Sequence, residues 1–124
     1  MVTKAEFLNQ LYTLAEKEYK NDLWIEGATN FVRGNGNPDS PIVFIGEAPG
    51  ADEDAQAKPF VGRSGKLLNK TLEILNMPRE RVFITNVVKC RPPNNRVPEE
   101  DEARACLDYL RNQVILVKPQ IIVL

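Results

Sequence analysis

The sequence has 124 residues, 43% of them apolar and 27% charged, with a formal net charge of −1; this describes one ordinary globular domain and excludes a two-domain arrangement. It contains no histidine and only two cysteines, which excludes any triad needing imidazole, a histidine-bearing zinc site and a dense disulfide framework. The near-zero balance gives no global sign of nucleic-acid binding and leaves any basic surface to local clustering.

From Thr3 to Lys20 the apolar residues Phe7, Leu8, Leu11, Leu14 and Ala15 recur at helical spacing, with Thr3 and Glu6 in capping-box relation, which predicts an amphipathic helix. Asp22 to Ser40, with Gly34, Gly36, Asn37 and Pro38, reads as a turn-rich loop. Ile42 to Ile45 is a short β-rich apolar run between Pro41 and Gly46, the pattern of a strand buried on both faces, and a Gly-Pro-acidic loop follows it. Leu67, Leu68, Leu72, Ile74 and Leu75 predict a helix from about Ser64 to Asn76, and Arg81 to Val88 predicts a second strand. After the Pro/Asn-rich loop Cys90 to Pro98, acidic residues from Glu99 open a helix to about Val117, whose apolar set Ala105, Leu107, Leu110, Val114 and Leu116 is only roughly periodic. Ile121 to Leu124 is a third strand by the same argument as the first.

Strands alternating with helices at these spacings predict an α/β fold of right-handed βαβ units around a parallel sheet. The third strand has no covering helix after it, so residues 1–124 are expected to form a single domain that is incomplete on its C-terminal side, with apolar surface left open. The apolar runs are far shorter than a membrane span and the N-terminus lacks the apolar core of a secretory signal, so a cytoplasmic protein without membrane partners is expected.

Ligands of an open parallel sheet sit beyond the carboxyl ends of its strands, which directs attention to Gly46-Glu-Ala-Pro-Gly50 and to Thr85-Asn-Val-Val-Lys-Cys90. The first segment reads either as a rigid turn or as a site with Glu47 beside exposed peptide groups; neither phosphate-loop spacing is present. Lys58 to Gly65 places Phe60 and two glycines before a helix start carrying Arg63, Lys66 and Lys70, which suits a phosphate and equally suits a solvated basic face over a core aromatic. Cys90 and Cys106 read as buried thiols, as a disulfide, or as half of a four-cysteine iron–sulfur site that no C-x-x-C completes.

Taken in order, GNGNP (34–38), VFIGEAPGADED (43–54), KPFVGRSG (58–65) and ITNVVKCRPPNNRVP (84–98), with Cys106 beyond, resemble the family 4, iron–sulfur type uracil-DNA glycosylases of bacteria and archaea. The resemblance implies a three-layer α/β/α domain with a parallel sheet that acts on uracil-containing DNA in base-excision repair, hydrolysing the N-glycosidic bond of a flipped deoxyuridine. By the same resemblance Phe60 stacks on the uracil, Asn86 hydrogen-bonds its polar edge, and Glu47 lies against the sugar, where it orients water or stabilises developing positive charge. Ala48 stands where related enzymes carry a water-activating aspartate, so it contributes only backbone to the substrate site. Gly62, Arg63, Ser64 and Arg96 are the expected phosphate contacts, while Glu53 and Asp54, solvated loop charges on physical grounds alone, are given structural support.

A [4Fe–4S] cluster is implied, with Cys90 and Cys106 as two of its four ligands. The upstream C-x-x-C pair of the family falls on Tyr19 and Asp22, so this chain supplies half the ligand set. Two further departures are Ala57, at a position that is usually glycine, and the family's later histidine motif, which has no counterpart in this sequence. Two rival readings therefore stand beside the enzyme: a non-catalytic DNA-binding remnant in which Arg63, Lys66, Arg91 and Arg96 contact phosphate, and a small-ligand protein that reuses the Glu47 loop.

Overall fold

The computed structural model describes residues 2–18 and 27–124. Helix α1 (Lys4–Glu18) opens with the expected reciprocal cap: the Glu6 amide donates to Thr3 Oγ1 at 3.1 Å and the Thr3 amide to Glu6 Oε2 at 3.2 Å. Leu8, Leu11, Tyr12 and Ala15 form its inner stripe, whereas Phe7 and Leu14, expected in that set, face solvent. Strands β1 (Asn35–Gly36), β2 (Ile42–Gly46), β3 (Phe83–Asn86) and β4 (Ile121–Val123) form one sheet in the order β1-β3-β2-β4.

The core of that sheet is parallel, as βαβ connections require: β2 pairs with β3 and with β4 in the same direction. The all-parallel expectation is corrected by β1, which lies in the predicted loop and runs antiparallel to β3. Its pairing depends on Gly36, which adopts φ 117° and lies so close to the Val82 carbonyl that a Cβ would overlap it. A two-residue strand of Asn and Gly carries no hydrophobic alternation, so nothing local announces it.

Helices cover both faces, giving three layers. Helix α3 (Arg63–Ile74) packs Leu68 and Leu72 on Ile42, Phe44, Val82 and Ile84. Helix α4 (Glu100–Val117) lies with α1 on the other face, where Val117 and Leu8 meet Val43, Ile45 and Phe83. The residues of α4 that are buried are Cys106, Tyr109, Leu110, Gln113 and Val117, a clean helical stripe. Three of the five are not aliphatic, which is why the aliphatic pattern looked only roughly periodic. Asn76 (φ 56°) ends the turn after α3 with the Met77 amide donating to Leu72 O at 2.8 Å, and Lys118 (φ 56°) ends α4 ahead of Pro119. Strand β4 sits at the sheet edge with Ile121, Ile122 and Val123 exposed, and no helix of the described residues is long and apolar enough to cross a membrane.

The acidic segment after β2 is not a solvated loop but helix α2 (Ala51–Gln56), with Glu53 and Asp54 buried. Asp54 accepts the amides of Thr29 and Asn30, and its own carbonyl accepts Asn30 Nδ2 at 2.7 Å. A carboxylate that satisfies two backbone donors is stabilised in its buried place. Helix α2 ends at Ala57 with φ 55°, the left-handed conformation that glycine adopts without strain.

Candidate active site

Strand register builds one wall of a cleft. Gly46 and Asn86 are paired neighbours at the carboxyl ends of β2 and β3, and the pairing continues past them. The Val87 amide donates to Gly46 O at 2.9 Å and the Val88 amide to Glu47 O at 3.0 Å. Glu47 thus has a fixed main chain and an exposed carboxylate, while Asn86 is only 3% exposed. A Cβ on Gly46 would overlap both the Asn86 Oδ1 and the Phe60 ring, so the missing side chain is what lets these two groups converge.

The opposite wall is the segment 59–62. Phe60 holds φ 53°, a left-handed conformation that a bulky residue keeps only when its surroundings dictate it. Glu53 supplies part of that constraint. Its carboxylate accepts the amides of Gly50 at 3.0 Å, Val61 at 2.8 Å and Gly62 at 2.6 Å, joining the loop after β2 to the loop before α3. Burial, the largest influence on Glu53, pushes its pKa up, but the amides of Gly62, Val61, Glu53 itself and Gly50 outweigh it and hold the pKa below the ordinary carboxylate range.

Glu47, Ala48, Phe60, Asn86, Ser64 and Arg96 all line this cleft, which has a volume of about 420 Å³. Among the described residues neither the Asn86 amide nor the Glu47 carboxylate makes a hydrogen bond, so both polar groups are available to a ligand beside an aromatic face. Gly62 and Arg63 lie behind the lining, at the start of α3. The Gly62 amide donates to Glu53, whereas Arg63 and Ser64 are exposed. Arg96 reaches the rim, but its guanidinium is held by Glu102, at 2.7 and 3.0 Å.

Lys89 was not among the expected site residues, although a lysine directly after the apolar pair Val87-Val88, between the strand and Cys90, is a signal of a special environment. It is fully buried, and its Nζ donates to Thr85 Oγ1 at 2.8 Å, Asn86 O at 2.5 Å and Gln113 Oε1 at 2.7 Å. Burial, the largest cause, lowers its pKa to about 7, opposed by attraction to Cys106. The three acceptors favour the ammonium form, and through them Lys89 ties the backbone of Asn86 to α4.

Cys90 and Cys106 are both buried in a cluster with Ala15, Phe31, Val88 and Tyr109, and neither is in a disulfide. A four-iron cluster needs four soft ligands. Among the described residues no three Cys, His, Asp or Glu side chains stand together in a way that could hold a metal, and Tyr19 and Asp22 lie outside the described residues. The donor set present does not fit the cluster; the two thiols are core side chains here.

The sequence model of the uracil DNA glycosylase superfamily matches residues 33–124. The chain is 56% identical over 105 residues to the type-4 uracil-DNA glycosylase of Sulfurisphaera tokodaii, covering 84% of this chain and 47% of that protein. It is 59% identical over 95 residues to the type-4 uracil-DNA glycosylase of Saccharolobus solfataricus, covering 76% and 44%, and 54% identical over 95 residues to that of Archaeoglobus fulgidus, covering 77% and 48%. The chain therefore spans about half the length of the curated relatives it matches.

Proposed function

We propose, because the chain belongs to the uracil DNA glycosylase superfamily, that its cleft receives a uracil flipped out of DNA and that Glu47 serves hydrolysis of the N-glycosidic bond. The observation that carries this reading is the convergence of an aromatic ring, an unengaged amide and an unengaged carboxylate at the carboxyl ends of β2 and β3. Phe60 stacks on the base. Asn86 donates its Nδ2–H to a uracil carbonyl and accepts the N3–H at Oδ1. Discrimination against cytosine requires the amide to keep one orientation, because a flipped amide would match cytosine equally well; the Lys89 bond to the Asn86 carbonyl fixes where the side chain starts from, not which way its amide faces.

As the bond to the base lengthens, positive charge develops on the deoxyribose. The Glu47 carboxylate, on a loop whose carbonyl is pinned by Val88, orients the attacking water or stabilises that charge without having to move. Arg63 and Ser64 at the start of α3 and Arg96 at the rim meet the phosphates of the flipped strand. Such a role belongs to base-excision repair of DNA and to the cytoplasm.

A second reading, DNA binding without cleavage, is favoured by the exposed cations Arg63 and Lys66 at the start of α3. One assay separates them. The enzyme reading expects alkali-labile abasic sites in uracil-containing single strands or duplexes, reduced about 10²- to 10³-fold by Glu47→Ala, with base preference lost in Asn86→Ala. No abasic product at high protein concentration, with salt-sensitive binding retained, overturns the enzyme reading in favour of the second.

A further inference from the structure

Phe60 presents a problem of local physics that Glu53 only half answers. The carboxylate holds the amides that follow Phe60, at Val61 and Gly62, but among the described residues α2 makes no hydrogen bond to the carbonyls of Pro59 and Phe60. Those carbonyls are taken by Arg79, in the 3₁₀ turn Arg79–Arg81 between α3 and β3. Its Nη1 donates to Phe60 O at 2.7 Å and to Asn69 Oδ1 at 3.0 Å, and its Nη2 donates to Pro59 O. Gly65 closes the same point from α3, since a Cβ there would overlap the Phe60 carbonyl. The segment 59–62 is thus gripped by a carboxylate through its amides and by a guanidinium through its carbonyls.

We infer that Arg79 is a positioning residue for base recognition: its fork across the Pro59 and Phe60 carbonyls keeps Phe60 left-handed and its ring against Gly46 and Asn86. This inference rests on the reading of the cleft as a uracil site. The planar fork spans two carbonyl oxygens at once, which a lysine ammonium cannot reproduce with the same geometry. Arg79 is only half-buried and does not line the cleft, so it acts through Phe60 and not on a ligand.

The test uses the 124-residue chain, with Arg79→Gln, Arg79→Lys and Phe60→Ala variants. Binding is measured to a single strand bearing one 2′-fluorinated deoxyuridine, inert at its glycosidic bond, and to the same strand with cytosine in its place. Both Arg79 variants are expected to lose about five- to tenfold of the preference for uracil while binding the cytosine strand within about twofold of wild type. Phe60→Ala loses the preference outright, and adding Arg79→Lys to it changes nothing more. A general loss of structure would lower both affinities together; should Arg79→Gln not fold, Arg79→Lys, which keeps the charge, carries the comparison.

Carbon-13 shifts of Phe60 read its backbone conformation without DNA and are expected to move in Arg79→Lys. Unmoved shifts, or wild-type preference in Arg79→Lys while Phe60→Ala loses it, overturn the role of Arg79. Moved shifts with base preference intact in Phe60→Ala leave Arg79 as the anchor of Phe60 and instead overturn the reading of the cleft.

Discussion

The two walls of the cleft are held in different ways. Gly46 and Asn86 stand on adjacent strands whose hydrogen-bond ladder runs on through Val87 and Val88, so many small contributions fix their positions. Phe60 stands on a loop in a left-handed conformation, fixed by a few side chains: Glu53 on its amides, Arg79 on its carbonyls and the absent side chain of Gly65. A ladder shares its load over several peptide bonds; a loop concentrates it. Single substitutions are therefore expected to damage the loop wall more than the strand wall.

The largest effect is expected at Gly65→Ala, where the new methyl group meets backbone and not a flexible side-chain tip. It should destabilise the protein by about 3 kcal/mol in denaturant titration, as forced overpacking does, and displace Phe60. Glu53→Gln follows, at about 2 kcal/mol, because the neutral amide has one acceptor oxygen for three backbone donors. This variant also carries a pH signature. Since the folded pKa of Glu53 lies below its unfolded value, its contribution is complete above about pH 4.5 and is lost as pH falls through the folded pKa. Wild type should thus lose stability over that acid range more steeply than Glu53→Gln in thermal scans.

On the strand wall, Lys89→Met is expected to cost about 1–2 kcal/mol, since it strands the Asn86 carbonyl while Thr85 and Gln113 keep each other at 3.2 Å. A cost above that of Glu53→Gln would reverse the ranking of the two walls. Ala57→Gly probes the loop side in the opposite direction: relieving the left-handed alanine (φ 55°) should stabilise the protein by about 0.5–1 kcal/mol. The smallest effect is expected at Arg96→Ala. Its pair with Glu102 is solvent-exposed, so thermal stability should not change measurably, while affinity for single-stranded DNA falls and loses part of its salt dependence.

Much of the fold was legible along the chain. The three parallel strands, α1 with its Thr3 cap, α3 and α4 all stand within a few residues of where periodicity and punctuation put them. Strand β1 was not legible, since Asn35 and Gly36 pair only because the edge of β3 lies beside them. Nor was α2: its charges Glu53 and Asp54 look solvated until the amides they accept are brought to them from residues 29–30 and 50–62. In the site, the types of residue at 47, 60 and 86 were readable from their motifs. The commitment of Gly62 to Glu53, of Arg96 to Glu102, and of Lys89 to the Asn86 carbonyl was not, because each partner is three or more residues away and no spacing encodes it.

What the sequence alone determined is the α/β class, the family and the chemical types gathered at the strand ends, because hydrophobic period, turn residues and motif order are local properties of a chain. What only the tertiary structure decided is which polar groups remain available for a ligand. Availability is a difference between the hydrogen bonds a group can make and those its folded neighbours already satisfy, and that difference exists only once the chain has closed. Asn86 and Glu47 end with unused capacity, while Glu53 and Arg79 use theirs to hold Phe60 in place.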